Sequence, residues 1–223
     1  MDIDNIRNLL NEIYDEVKGM SGGHVADYIP QLGCVNPDLF AISACTIDGT
    51  IIDIGDTDID FCLQSCSKPL TYCMVHEELG REKVHSHVGY EPSGQSFNAH
   101  VLNKKGLPHN PMINAGAMMI SSLLRPNDEP SERFDYVLKY LEKMSGHIGK
   151  IGFDNSVFLS EAQHADRNIS LAYFMRENKA FDGKVTPSQM EEHLNLYFQT
   201  CSITINARIG ASICATFEFP SAS

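Results

Sequence analysis

Ser65-Cys66-Ser67-Lys68 is the stretch of this chain whose residue types and spacing best fit covalent chemistry. A serine hydroxyl is a weak nucleophile until a base takes its proton during attack. Lys68 stands three residues on, and positions i and i+3 share one face of a helix, so the two side chains can meet. A lysine can act as that base only when neutral, which needs burial or nearby positive charge to lower its pKa. A helix starting here would add positive potential and N–H groups for an oxyanion forming at Ser65. Pro69 fits such a start, because the first turn does not need its N–H. Two fixed positions in four are a weak signature, and a capping serine beside a solvated lysine is the competing reading. Cys66 is a rival nucleophile by type, but on a helix it points away from Lys68, as a structural thiol would.

Other chemistries find less support. Asp56, Asp58 and Asp60 have the spacing of a calcium loop, yet Phe61 replaces the required glycine and Ser67 stands where the terminal glutamate belongs. Cys62 and Cys66 form no C-x-x-C pair, so a zinc site is not indicated, and His85-x-His87 reads as two surface or capping histidines. GHIGKIG lacks dinucleotide-loop spacing and no Walker A motif is present, so no cofactor is expected. Seven cysteines, an odd number lying mainly in apolar segments, read as reduced, buried thiols of an intracellular compartment. The net charge of −12 leaves no basic footprint for nucleic acid or an anionic membrane. No apolar run approaches the ~18 residues a membrane span needs. The acidic, amphipathic N-terminus resembles neither a secretory signal nor a transit peptide.

The elements that must position the serine and lysine follow from periodicity. With 223 residues, 43% hydrophobic and 21% charged, the chain has a soluble globular composition. Ile3, Ile6, Leu9, Leu10, Ile13, Tyr14 and Val17 mark one face of an N-terminal helix. FAISACTI and TIIDIGD around Asp48-Gly49 predict a hairpin with a tight primed turn. Helical periods then predict helices over about 65–79, 113–124, 132–145, 154–163, 167–178, 187–200 and 204–216. Thr186, Pro187 and Gln189 form a helix-start signal. One hairpin is too little for a stable sheet, so the order predicts further strands beyond the closing TFEFPSAS.

Six segments carry a wider resemblance: VADYIPQL, FCLQSCSKPL, VGYEPSG, HNPMINAGA, SEAQHADRN and LYFQTCS. In order and spacing they resemble the glutaminase family, closest to its animal type. The resemblance runs over about residues 25–215, with 216–223 as a divergent tail, and makes 1–223 a single, incomplete catalytic domain. It implies an α/β (α+β) fold of the β-lactamase/transpeptidase class, mostly helical here, with an N-terminal hairpin and the C-terminal sheet strands missing. It also implies that Ser65 forms a γ-glutamyl ester with glutamine and that Lys68 moves the proton. Tyr28, Ser65, Asn114, Glu161, Asn168 and Tyr197 stand at the family's substrate-binding positions. Glu161 suits the α-ammonium by charge, and the asparagines and tyrosines suit the α-carboxylate.

The same resemblance implies glutamine as substrate, a homo-oligomer, and a mitochondrial or cytosolic place in the cell. Nucleic acid and membrane are not expected partners, and neither metal nor cofactor is expected. A catalytic tyrosine and one oxyanion-hole donor of the family lie in the part expected to be missing. The alternative reading is therefore a catalytically dead glutaminase-like chain that binds full-length subunits. A penicillin-recognising serine acylase of the same fold is the third.

Overall fold

Asp2 opens the first helix by accepting the Asp4 N–H at 3.3 Å, an N-cap that satisfies one of the donors left over at a helix start. The structure, a computed structural model, describes residues 2–181 and 183–218. Part of the tail expected at 216–223, residues 219–223, lies outside the described residues. In chain order the elements begin with α1 (Ile3–Val17), α2 (Pro30–Gly33), β1 (Ala41–Cys45), β2 (Ile51–Gly55) and β3 (Phe61–Cys62). A 3₁₀ turn at Gln64–Cys66 leads into α3 (Ser67–His85), followed by α4 (Asn114–Leu123) and α5 (Pro130–Met144). Then come β4 (Gly152–Phe153), α6 (Asn155–Gln163), α7 (Asp166–Glu177), α8 (Pro187–Cys201), β5 (Ile203–Ile205) and α9 (Ala207–Ala215). Among the described residues no helix is long and apolar enough to cross a membrane.

The chain gathers into two compact units. The first comprises Met1–Cys62, Lys139–Val157 and Thr204–Ser223, the second Leu63–Leu138 and Phe158–Ile203. In the first, β1 and β2 pair antiparallel with Ala41 opposite Gly55 and Cys45 opposite Ile51. The hairpin is where the sequence places it, but its turn is not of the primed type. Gly49 N–H donates to the Thr46 carbonyl at 2.9 Å and Thr46 N–H to the Thr50 carbonyl at 3.0 Å, leaving a three-residue loop. A primed turn needs positive φ at both central residues; here Gly49, at φ 86°, is the one loop residue to take it. Thr46 and Asp48 fix this form by bonding each other and the Thr50 N–H.

α1 and α9 cover this hairpin. Ile3, Ile6, Leu10, Tyr14 and Val17 form the half-buried face of α1, and Tyr14 stacks on Phe40 with centroids 5.2 Å apart. Gly55 must be glycine: its φ is 79°, and a Cβ would come within 2.6 Å of the Tyr14 ring. From α9, Arg208 Nε meets Asp53 Oδ2 at 2.6 Å, while Ser43 Oγ donates to the other Asp53 oxygen at 2.6 Å.

A second sheet, in the order β3-β5-β4, corrects the expected helix over 204–216. Ile203 and Ile205 are buried on either side of half-buried Thr204, a period of two within an apolar run. The helix starts only after Asn206, whose Oδ1 accepts the Ile209 N–H at 3.0 Å.

The second unit is built around α4, every residue of which is buried. A helix that is apolar all round belongs inside a core, and α3, α7 and α8 pack on it. Its small residues allow close approach: a Cβ at Gly116 would strike the Asn110 carbonyl and lie 2.8 Å from the Pro111 Cα. At the other end of α4 the buried Arg133 donates to the Leu124 carbonyl at 2.9 Å and to the Ser121 carbonyl at 2.5 Å. This places a cation on the negative end of the helix dipole.

α3 runs further than the predicted 65–79, because Gly80 leaves helical geometry at φ 75° and ψ 162° and the chain then resumes its turn to His85. There His87 Nδ1 lies 2.9 Å from the Lys83 carbonyl, as a capping histidine should, while His85 Nδ1 lies 3.0 Å from the Val88 carbonyl beyond the helix. The start signal at α8 forms in full: Thr186 N–H bonds Gln189 Oε1 at 3.0 Å and Gln189 N–H bonds Thr186 Oγ1 at 3.3 Å. The expectation for the cysteines needs correcting. Cys201 is buried, whereas Cys34, Cys66 and Cys214 are exposed.

Candidate active site

Six of the seven residues singled out in the sequence belong to the second unit. Ser65 sits in the 3₁₀ turn Gln64–Cys66 that precedes α3, with an exposed side chain. The residue before it, Gln64, has φ 48°, a left-handed conformation that costs a non-glycine residue free energy and is held only by its surroundings. Bonds on either side support it: Ser67 Oγ donates to the Gln64 carbonyl at 2.7 Å, and Leu63 N–H donates to the Ile203 carbonyl at 2.8 Å, tying the turn to the first residue of β5. Ser65 is thereby presented outward from a fixed bend at the start of a helix.

Lys68, in the first turn of α3, is 4% exposed. Its Nζ donates to Asn114 Oδ1 at 2.8 Å. Burial is the main influence on the amine and pushes its pKa below the ordinary lysine value, while the nearby Cys201 works in the opposite direction. The burial that a lysine base requires is therefore present.

Asn114 is the hub of the site. It is the first residue of α4, and its backbone N–H donates to the Phe97 carbonyl at 3.0 Å. Asn110 organises the entry to that helix, its Oδ1 accepting the N–H groups of Met112 at 3.0 Å and Ile113 at 3.2 Å. Asn114 Oδ1 also accepts the Tyr197 hydroxyl at 3.3 Å, and Asn114 Nδ2 donates to Asn168 Oδ1 at 3.0 Å. Residues from α3, α4, α7 and α8 are thus joined through one amide.

Glu161, on α6, is 9% exposed and lies close enough to Cys201 to act on its thiol electrostatically. Tyr28 belongs to the other unit, in the bend before α2, with a ring 59% exposed. Ser67, which holds the bend before Ser65, and the buried Cys201 were not singled out as functional in the sequence. Among the described residues no three His, Cys, Asp or Glu side chains are arranged to hold a metal ion.

Comparison with known proteins agrees with this architecture. The family profile described as Glutaminase matches residues 23–221. Rat "Glutaminase liver isoform, mitochondrial" is 44% identical over 215 residues, which are 96% of this chain and 35% of the rat protein. "Putative glutaminase 3" of Caenorhabditis elegans is 48% identical over 207 residues, 93% of this chain and 35% of that protein. "Glutaminase" of Nostoc sp. is 38% identical over 209 residues, 93% and 60% of the two chains. The chain therefore spans about a third of the length of these animal relatives. Among solved structures, "Probable glutaminase ybaS" superposes with a TM-score of 0.88 at 27% identity, over 97% of this chain and 68% of that one. The native form of "Mglu" gives 0.82 at 29% identity, over 94% and 49%. The fold class is the α/β, β-lactamase-like one of these structures. By profile, by relatives and by fold, this chain belongs to the glutaminase family.

Proposed function

We propose that this chain carries the acylation machinery of a glutaminase, which converts L-glutamine and water into L-glutamate and ammonia. The observation that carries the reading is the buried Lys68, bonded to Asn114 and lowered in pKa, in the first turn of α3 directly after the 3₁₀ turn that presents Ser65. A neutral lysine amine has two N–H groups and one lone pair. Donation to Asn114 Oδ1 uses one N–H and leaves the lone pair for the Ser65 proton.

In this scheme Ser65 Oγ attacks the carboxamide carbon as its proton passes to Lys68 Nζ. Collapse of the tetrahedral intermediate breaks the C–N bond, and Lys68 returns the proton to the departing nitrogen, releasing ammonia and leaving a γ-glutamyl ester on Ser65. Water then attacks the ester, giving glutamate and restoring the serine. The positive end of α3 favours the oxyanion of both tetrahedral intermediates.

Substrate recognition is assigned to the groups around this pair. Glu161, poorly exposed, matches the α-ammonium of glutamine by charge. Asn114 and Asn168, already joined to each other, offer amide N–H donors for the α-carboxylate, and the Tyr197 hydroxyl, whose proton goes to Asn114 Oδ1, holds that pair in register. The family resemblance alone assigns Tyr28 to substrate binding, and one catalytic domain over 1–223, working as a homo-oligomer inside the cell, is the proposed context.

The test is ammonia release from glutamine by the 223-residue chain, with Ser65→Ala alongside. Turnover that disappears in the variant supports the reading. A folded chain that releases no ammonia yet associates with full-length glutaminase subunits favours the alternative, a non-catalytic partner.

A further inference from the structure

We infer that Ser67 is a positioning residue of this site: its hydroxyl clamps the Gln64 carbonyl and so turns the Ser65 N–H outward, as a donor for the oxyanion. The inference rests on the Ser65–Lys68 reading above.

The Gln64 carbonyl and the Ser65 N–H belong to one peptide unit. That unit is planar and trans, so its C=O and N–H point in opposite directions, and whatever fixes one fixes the other. Ser67, buried at the start of α3, holds the carbonyl twice: its Oγ donates to it at 2.7 Å, and its backbone N–H bonds it as well. The nitrogen side is open. Among the described residues the Ser65 N–H has no hydrogen-bond partner, being one of the donors that a helix start leaves over.

A serine bonded to the carbonyl three residues earlier is common inside helices, where it signifies only a satisfied hydroxyl. Here the accepting residue is not helical. Gln64 stands at φ 48°, where a non-glycine residue costs free energy and its peptide needs holding. The Cys66 N–H, donating to the Leu63 carbonyl at 3.0 Å, fixes the peptide units on either side, and Leu63 N–H anchors the bend to the Ile203 carbonyl at 2.8 Å. The unit between them is the one Ser67 holds. Its N–H belongs to the nucleophile itself, beside the carbon on which the tetrahedral oxygen gathers charge. A donor aimed there in advance acts on the transition state far more than on the bound substrate.

The test separates those two states. The probe is a glutamine analogue with a boronic acid in place of the carboxamide. Ser65 Oγ adds to its boron, and the tetrahedral boronate sets an oxygen where the oxyanion would lie. Its affinity for the 223-residue chain is measured by calorimetry beside that of L-glutamate, which forms no such adduct, and boron NMR reports the adduct. We expect Ser67→Ala to weaken the boronate about three- to tenfold and to leave glutamate within about twofold. Ser67→Thr, which keeps the hydroxyl, should bind the boronate within about twofold of the unaltered chain. Should its extra methyl disturb the fold, Ser67→Cys, a weak donor of serine's shape, should fall between serine and alanine. A boronate bound equally by Ser67→Ala and the unaltered chain, boronate and glutamate weakened alike, or a folded Ser67→Thr as weak as Ser67→Ala overturns the inference alone. A boronate that forms no adduct with the unaltered chain, or forms one equally with Ser65→Ala, overturns the Ser65–Lys68 reading and the inference with it.

Discussion

Lys68 Nζ and Asn114 Oδ1 lie 2.8 Å apart, joining the first turns of α3 and α4 in a buried setting. That bond orients the amine, and the burial lowers its pKa. Lys68→Met should therefore slow reaction of the Ser65 hydroxyl by roughly 100- to 10,000-fold with the fold retained, measured as its rate of alkylation by a diazoketone analogue of glutamine, followed by peptide mass mapping. In the unaltered chain that rate should rise with pH through a limb lying below the ordinary lysine pKa. Asn114→Asp sets a carboxylate against the amine, which favours its protonated form, and should move the limb to higher pH. A limb that stays in place in Asn114→Asp would count against Lys68 as the base.

Arg133 should matter for stability through α4. Its buried guanidinium satisfies the Ser121 and Leu124 carbonyls, and Arg133→Met would leave both without that donor inside the core. An unsatisfied buried group costs about 1–3 kcal/mol, so the variant should lose about 2–5 kcal/mol in urea unfolding. An unchanged midpoint would show that the carbonyls find other donors.

His193 should give the chain an acid-sensitive core. Its side chain is 7% exposed, and burial, assisted by the Arg133 charge, lowers its pKa from 6.5 to about 4. Its Nδ1 has no hydrogen-bond partner among the described residues. Between those two values the unfolded chain takes a proton that the folded chain refuses, so stability falls as pH drops from about 6.5 towards 4. The loss attributable to this residue approaches about 3 kcal/mol at the lower end. His193→Gln should lose less stability than the unaltered chain between pH 7.5 and pH 4.5, and equal losses would contradict the assignment.

Gly116 should tolerate no side chain. A Cβ there meets the Asn110 carbonyl and the Pro111 Cα, both backbone and both part of the entry to α4 that Asn114 begins. Gly116→Ala should destabilise the chain by about 1–3 kcal/mol or more and slow Ser65 labelling as well, because the clash lies two residues from Asn114. Thermal melting and labelling on one preparation check both effects.

Legibility in the sequence followed the range of the forces involved. The Ser65–Lys68 spacing, the Thr186–Gln189 cap and the apolar face of α1 are local, and each could be read from neighbouring residues. The hairpin was legible, but its turn was not, because Thr46 and Asp48 side chains decide the loop form that Asp48-Gly49 alone suggests otherwise. β5 was hidden because Ile203 to Ile213 is apolar at both strand and helix spacing. Asn206, as a cap, was the clue to the boundary. In the site, the family motifs pointed to Asn114, Asn168 and Tyr197. That they converge on one amide depends on packing between residues 54 and 83 positions apart. The buried thiol of Cys201 was legible as such, whereas the exposure of Cys34, Cys66 and Cys214 was not.

A covalent γ-glutamyl ester on Ser65 is the intermediate on which the proposed reaction turns, and mass mapping of peptides from the 223-residue chain after acid quench of a glutamine reaction looks for it. We expect a γ-glutamyl adduct on the peptide bearing Ser65, absent in Ser65→Ala and strongly reduced in Lys68→Met. Ammonia released with no adduct on that peptide, or released equally by Ser65→Ala, would contradict it.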